Sequence, residues 1–186
     1  MHIRSAREGD WEACLALDRS YDTETAWQMH EVSRSREWGV SFREVRLPRK
    51  QHIEDAIAPE ARLQSWQRCD AFWIAKEHRE VQGYIALALE YAHNQARIVD
   101  LTVAPPHRRE SIGTQLLYQA MEWSLRHEIN QMIIEAPLKA QPAISFAMHH
   151  GFGFCGFQDA YWPGQETAIF LRRSISHRDL GRKRFR

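Results

Sequence analysis

Residues 97–117 read RIVDLTVAPPHRRESIGTQLL. Arg97 to Ala104 is rich in β-branched and apolar residues and predicts a strand. Pro105-Pro106 ends it. Arg108 to Gly113 is a compact turn of small and charged residues, after which the period changes. Leu116, Leu117, Ala120, Met121, Ser124 and Leu125 recur at one-turn spacing, predicting an amphipathic helix from Gly113 to about His127. Strand, turn and helix start together make an anion cradle, because unpaired N–H groups and the positive end of the helix dipole point at the same place. Arg108 and Arg109 add fixed positive charge that can fork onto phosphate oxygens. A Walker A loop is excluded, since no G-K-[ST] follows, and so is a Rossmann fingerprint, since G-x-G-x-x-G is absent.

Outward from this stretch, Ala71–Lys76 and Val81–Tyr91 are expected as strands before it. The apolar run from Gly83 to Leu89 suits the centre of a sheet. After it come a short buried strand at Met132–Glu135 and a helix from Pro142 to His150, with Pro142 in its first turn and Gly151 at its end. Phe152–Phe157 is expected as a core strand and Thr167–Leu171 as the closing one. Nearer the N-terminus, His2–Ala6 predicts a strand and Gly9-Asp10 the turn into a helix carrying Trp11 and Leu15. Thr23 or Thr25 is expected to cap a second helix bearing Trp27 and Met29. Gly39–Leu47 alternates as a half-buried strand that Pro48 should end. Lys50–Asp70 is polar and helix-compatible, interrupted at Pro59, and is the expected substrate-side loop. The order predicts a mixed α/β sheet with flanking helices.

The chain has 186 residues, enough for one domain with a sizeable core and no need for staples. Its seven tryptophans are expected mainly in that core. Cys14, Cys69 and Cys155 are far apart, with no C-x-x-C pair, so neither a disulfide framework nor a cysteine zinc site is expected. His149 and His150 point about 100° apart on a helix and cannot chelate together. With no H-x-x-x-H, no metal is expected. There is no signal-peptide run and no membrane span, so a cytoplasmic protein is expected. Net charge is +1, yet Arg172 to Arg186 holds seven Arg or Lys against the single acid Asp179. Residues 1–175 are expected as the domain and 176–186 as a solvated basic tail. A nucleic-acid role is not expected, because no aromatic-studded basic surface accompanies the tail.

Arg108-Arg109-Glu110-Ser111-Ile112-Gly113 matches [QR]-x-x-G-x-[GA], and the chain resembles the GNAT superfamily of N-acetyltransferases. PAISFAMHHGF (142–152) is similar to that family's second motif. LDRSYDTETAWQM, VSFREVRLP, VDLTV and GFCGFQDAYW are similar to segments of streptothricin-acetyltransferase-like members. The resemblance implies a GNAT-type acyl-CoA N-acyltransferase fold with acetyl-CoA as donor and no metal. The implied cofactor contacts are Leu101, Thr102, Val103, Arg108, Arg109, Glu110, Ser111, Ile112, Gly113, Thr114, Phe146 and His149. It implies direct transfer to a primary amine, with a backbone N–H near Leu101–Val103 stabilising the oxyanion. Asp100 and Glu135 are the base candidates, directly or through water, and Tyr161 is a candidate acid. A strand carboxylate here also has the simpler use of pairing with a nearby Arg such as Arg97. The implied partner is a small-molecule amine, with a streptothricin-like antibiotic as one case. A protein or peptide amine and a silent CoA-binding module are the alternatives, and a homodimer is common for such folds. The chain departs from the family pattern at Ser111, where glycine is usual, at Ala140, where asparagine is frequent, and at Ala147, where many relatives carry a leaving-group tyrosine.

Overall fold

The computed structural model describes residues 1–78 and 80–181. Nine strands occur there: β1 (His2–Ser5), β2 (Tyr21–Arg34), β3 (Glu37–Ile53), β4 (Ala71–Glu77), β5 (Glu80–Glu90), β6 (Gln95–Val103), β7 (Gln131–Pro137), β8 (Gly153–Trp162) and β9 (Glu166–Ser174). The α-helices are α1 (Trp11–Leu15), α2 (Pro59–Trp66), α3 (Ile112–Arg126), α4 (Gln141–His149) and α5 (His177–Gly181). Seven strands form one sheet in the order β1-β4-β5-β6-β7-β9-β8, while β2 and β3 form a separate hairpin. Only β6 and β7 run parallel; the other pairs are antiparallel. The expected mixed sheet with flanking helices is thus present.

Alternation along the central strands divides the core between two faces. Ile85, Leu87, Ala96, Ile98, Met132 and Ile134 turn to the face carrying α3 and α4, against Leu116, Leu117, Met121 and Ile144. Tyr84 and Ala86 turn to the other face, against Cys14 of α1 and Trp66 of α2. Of the tryptophans, Trp66 and Trp73 are core residues, whereas Trp38 at the hairpin tip is 89% exposed.

One register detail positions the site. β6 pairs with β7 from Gln95↔Gln131 to Ile98↔Ile134 and no further, although the strands continue to Val103 and Pro137. A bulge at Val99, which has no partner between Leu87↔Ile98 and Ala86↔Asp100, bends β6 where it parts from β7. A gap opens there, walled by Asp100–Val103 on one side and Glu135–Pro137 on the other.

Several N-terminal expectations are corrected. Thr23–Met29 is strand, not helix; the Thr23 hydroxyl donates to the Thr25 carbonyl at 2.5 Å rather than capping anything. Pro48 does not end β3. Thr23 pairs with Gln51 and Thr25 with Arg46, so Pro48 falls in a wide bulge where its missing N–H leaves no ladder bond unmade. Pro59 starts α2 at its first turn instead of interrupting a helix. The hairpin docks on α4: Trp27 Nε1 donates to Gln141 at 2.8 Å, and Gln141 Nε2 donates to Glu44 at 2.9 Å.

At the other end, β8 is an edge strand and Cys155 is exposed, not a core residue. Residues 177–181 form α5, with Leu180 against the core and Asp179 accepting from Arg173 at 2.7 Å. That part of the expected tail is built into the domain; residues 182–186 lie outside the described residues.

Candidate active site

After Val103 the chain makes a 3-10 turn at Pro105–His107 and enters α3 through Ser111. Ser111 is the N-cap, at φ 62° and ψ 11°, and its side chain caps nothing. This is the left-handed region in which a β-carbon costs about 1–2 kcal/mol, so the glycine of the family pattern is replaced where it is conformationally useful. Arg109, at φ 70°, is left-handed too. The first-turn N–H groups of α3 have no intrahelical acceptors and point out of the helix start. Gly113 is not in a left-handed conformation, and a β-carbon at this position has room. A β-carbon there would lie 3.4 Å from Phe146 Cε2 and 3.6 Å from Val103 Cγ2, so anything longer than alanine intrudes on the cradle.

The two arginines part company. Arg108 donates from Nε to the Val103 carbonyl at 3.0 Å and from Nη1 to the Ser20 carbonyl at 2.8 Å. Its guanidinium ties the stretch before β2 to the end of β6, and is not free to fork onto phosphate as the sequence suggested. Arg109 is the exposed cation of the pair. Glu110 lies 3.4 Å from His107. Thr114 stands in the first turn of α3, its hydroxyl 3.1 Å from His150 Nε2, a contact with no sequence signal. Phe146 is half-buried beside Gly113, and His149 is exposed.

The carboxylates differ sharply. Asp100 is 10% exposed and receives four donors: Arg62 Nη1, Tyr84 Oη at 2.9 Å, Trp66 Nε1 at 3.1 Å and Thr102 Oγ1 at 3.2 Å. Its arginine is Arg62 of α2, not Arg97. Arg62 also forks onto Asp55 at 2.6 and 2.7 Å. Burial, reinforced by the charge of Asp100, raises the Tyr84 phenol well above its usual range. Asp100 is therefore the centre of a polar lock between α2 and the sheet.

Glu135 is the first β7 residue beyond the pairing with β6. It is 15% exposed, accepts from Tyr161 Oη at 2.6 Å, and lies 3.9 Å from Arg97 Nη1. Tyr161 reaches it because β8 bulges: Gln158 pairs with Ala168 and Trp162 with Glu166, leaving three residues opposite one, with Ala160 at φ 50°. Burial, then the bond to and charge of Glu135, push the Tyr161 phenol up to about 12. That makes it a poorer acid than a free tyrosine. Ala147 is 1% exposed within the main core, and Ala140, the N-cap of α4, makes no side-chain cap bond.

The helix-start cradle and the β6–β7 gap lie on one continuous stretch, residues 100–114. A model described as the acetyltransferase (GNAT) family matches residues 23–154. The chain belongs to that family. It is an acyl-CoA-dependent N-acetyltransferase. Streptothricin acetyltransferase of Streptomyces lavendulae is 27% identical over 178 residues, 91% of this chain and 92% of that protein. The crystal structure of nourseothricin acetyltransferase superposes with a TM-score of 0.80 at 21% identity, covering 94% of this chain and 98% of that one. A Bacillus anthracis str. Ames structure in complex with acetyl coenzyme A gives 0.72, also at 21% identity, over 94% and 97%. Among the described residues of this GNAT acetyltransferase, no helix is long and apolar enough to cross a membrane.

Proposed function

We propose that this acetyltransferase moves the acetyl group of acetyl-CoA to a primary amine of a small molecule of the streptothricin kind, with Glu135 receiving the amine proton directly or through water. The observation that carries this reading is Glu135 standing on the wall of the β6–β7 gap opposite the strand that leads into the α3 cradle. The names of the Streptomyces lavendulae relative and of the nourseothricin enzyme support the acceptor class.

The residues present fit the donor. The uncapped start of α3 offers backbone N–H groups to a pyrophosphate, Arg109 adds exposed charge, and Gly113 leaves room that a longer side chain would fill. Leu101–Val103 present strand-edge groups to the gap, where a backbone N–H can donate to the thioester oxygen. Bound there, acetyl-CoA supplies an activated acyl group whose thiol leaving group, with a pKa near 8.5, departs without a dedicated acid.

An aliphatic amine, with a pKa of about 10.4, arrives as an ammonium and must lose a proton before attack. Glu135 attracts the ammonium and takes that proton. Tyr161 and Arg97 hold its carboxylate in place. Tyr161 serves as a positioning donor here, since its raised pKa opposes giving the proton up. Asp100 maintains the wall of the gap through Arg62, Trp66 and Tyr84.

The test is acetyl-CoA consumption against streptothricin, aminoglycosides and lysine-bearing peptides. Streptothricin should be turned over with the highest kcat/KM. Preference for a peptide would overturn the acceptor class, and absence of CoA binding in calorimetry would overturn the cradle.

A further inference from the structure

His150 has no place in the chemistry above, yet it touches the cradle. It is the C-cap of α4, half-buried, with its ring 4.5 Å from Phe146 and 6.3 Å from Tyr118. Its Nε2 lies 3.1 Å from Thr114 Oγ1, and Thr114 belongs to the first turn of α3. The backbone holds it firmly: its N–H reaches the Phe146 and Ala147 carbonyls at 3.1 and 3.0 Å, and its own carbonyl accepts from Arg173 Nη1 at 2.5 Å.

A threonine hydroxyl has one hydrogen to give. If that hydrogen goes to His150 Nε2, the oxygen presents only lone pairs to its other neighbours, and these repel a phosphate. If Nε2 carries the hydrogen and donates to Oγ1, the hydroxyl hydrogen is free for a phosphate oxygen. An anion in the cradle therefore selects the forms of His150 protonated at Nε2. Among these, the imidazolium also places a positive charge one hydroxyl away from the anion.

We propose that His150 is a positioning residue for the acyl donor: through Thr114 it turns a hydroxyl hydrogen toward the CoA pyrophosphate and couples CoA binding to proton uptake. This rests on residues 108–114 being the CoA cradle.

The surroundings set the sign. His149 on α4, with its ring 5.2 Å away, and Arg173 on β9 oppose a charge on His150. Asp179 of α5, which accepts from Arg173 at 2.7 Å, offsets part of that opposition. Tyr118 on α3 faces the ring edge-on. Burial, then His149 and Arg173, hold His150 below its usual value in the free protein. A bound anion raises it. CoA affinity is thus highest in acid and falls as pH rises through the value in the complex.

Calorimetry with CoA from pH 5.5 to 8, in buffers of different ionisation enthalpy, tests the coupling. In the native protein Kd should rise about fivefold across this range, with proton uptake at the acid end. His150→Gln keeps an N–H donor for Thr114 and removes the titration. It should bind CoA at pH 8 within about twofold of the native protein and lose the slope, apart from the titration of the ligand's own 3′-phosphate near pH 6. In the native complex, 15N shifts of His150 should report a proton on Nε2. Equal slopes in the native protein and His150→Gln, both binding CoA, would overturn the proposal, as would an unprotonated Nε2 in the complex. A native protein that binds no CoA at any pH would instead remove the cradle assignment on which it rests.

Discussion

Tyr161 donates to Glu135 across 2.6 Å, linking the bulged end of an edge strand to the wall of the gap where β6 and β7 separate. The contact joins residues 26 positions apart and adds a second hold on a carboxylate that Arg97 approaches at 3.9 Å. Removing the carboxylate and removing its clamp should have different consequences. Glu135→Gln should lower kcat by about 10²- to 10⁴-fold and leave the Kd for CoA unchanged. Tyr161→Phe should lower kcat by roughly tenfold or less, because Arg97 still holds the carboxylate. Steady-state kinetics and CoA calorimetry on both variants check this; equal losses would assign Tyr161 a direct part in proton transfer.

Ser111 occupies a left-handed conformation at φ 62°. Ser111→Gly removes a strain of about 1–2 kcal/mol and adds some unfolded-state entropy, for a net gain of roughly 0.5–1 kcal/mol. Thermal unfolding should shift upward by about 1–4 °C. CoA should bind at least as tightly, since the phosphate then meets bare backbone.

Gly113→Ala should be tolerated, because its β-carbon meets Phe146 at an ordinary 3.4 Å. Gly113→Glu adds length and negative charge at the cradle and should abolish detectable CoA binding while leaving the fold intact. Calorimetry beside circular dichroism separates the two effects.

The polar lock at Asp100 predicts a stability effect rather than a chemical one. Arg62→Leu removes the cation from the buried Asp100, while Asp55 keeps Arg19 at 3.8 Å, and should cost about 3–5 kcal/mol, the usual penalty for orphaning a buried charge. Urea unfolding measures it. A loss below about 1 kcal/mol would show that the lock is not structural.

Acid stability has a defined contributor. The hydrogen bonds from Arg4 to Asp10 at 2.7 Å outweigh burial and hold the Asp10 carboxyl down at about 2. A depressed carboxyl stabilises the fold above its unfolded value near 3.9, and that contribution is lost as pH falls from about 4 to 2. Asp10→Asn should therefore cost on the order of 2 kcal/mol at pH 7 and almost nothing at pH 2. Unfolding curves at both values check the sign.

The stretch Arg97 to Leu117 by itself determined strand, turn and helix. Those elements are local, written in a change of apolar period and in a turn too short to be anything else. The strands from Ala71 onward and helix α4 were legible for the same reason. The N-terminal hairpin was not. Thr23 to Met29 carries capping residues and aromatics that suit a helix, and only pairing with Phe42, Arg43 and Glu44 and docking of Trp27 on Gln141 make it strand. Tertiary structure also decided which charges are free. Arg108 and Asp100 look available in sequence, but their partners Ser20 and Arg62 lie 88 and 38 residues away. The strand, turn and helix start around residues 97–117 were located from their local pattern, whereas the contacts of Tyr161 with Glu135 and of His150 with Thr114 depend on bulges and helix ends meeting in space. Hydrogen bonds between distant segments leave no periodicity behind, so the fold had to place them.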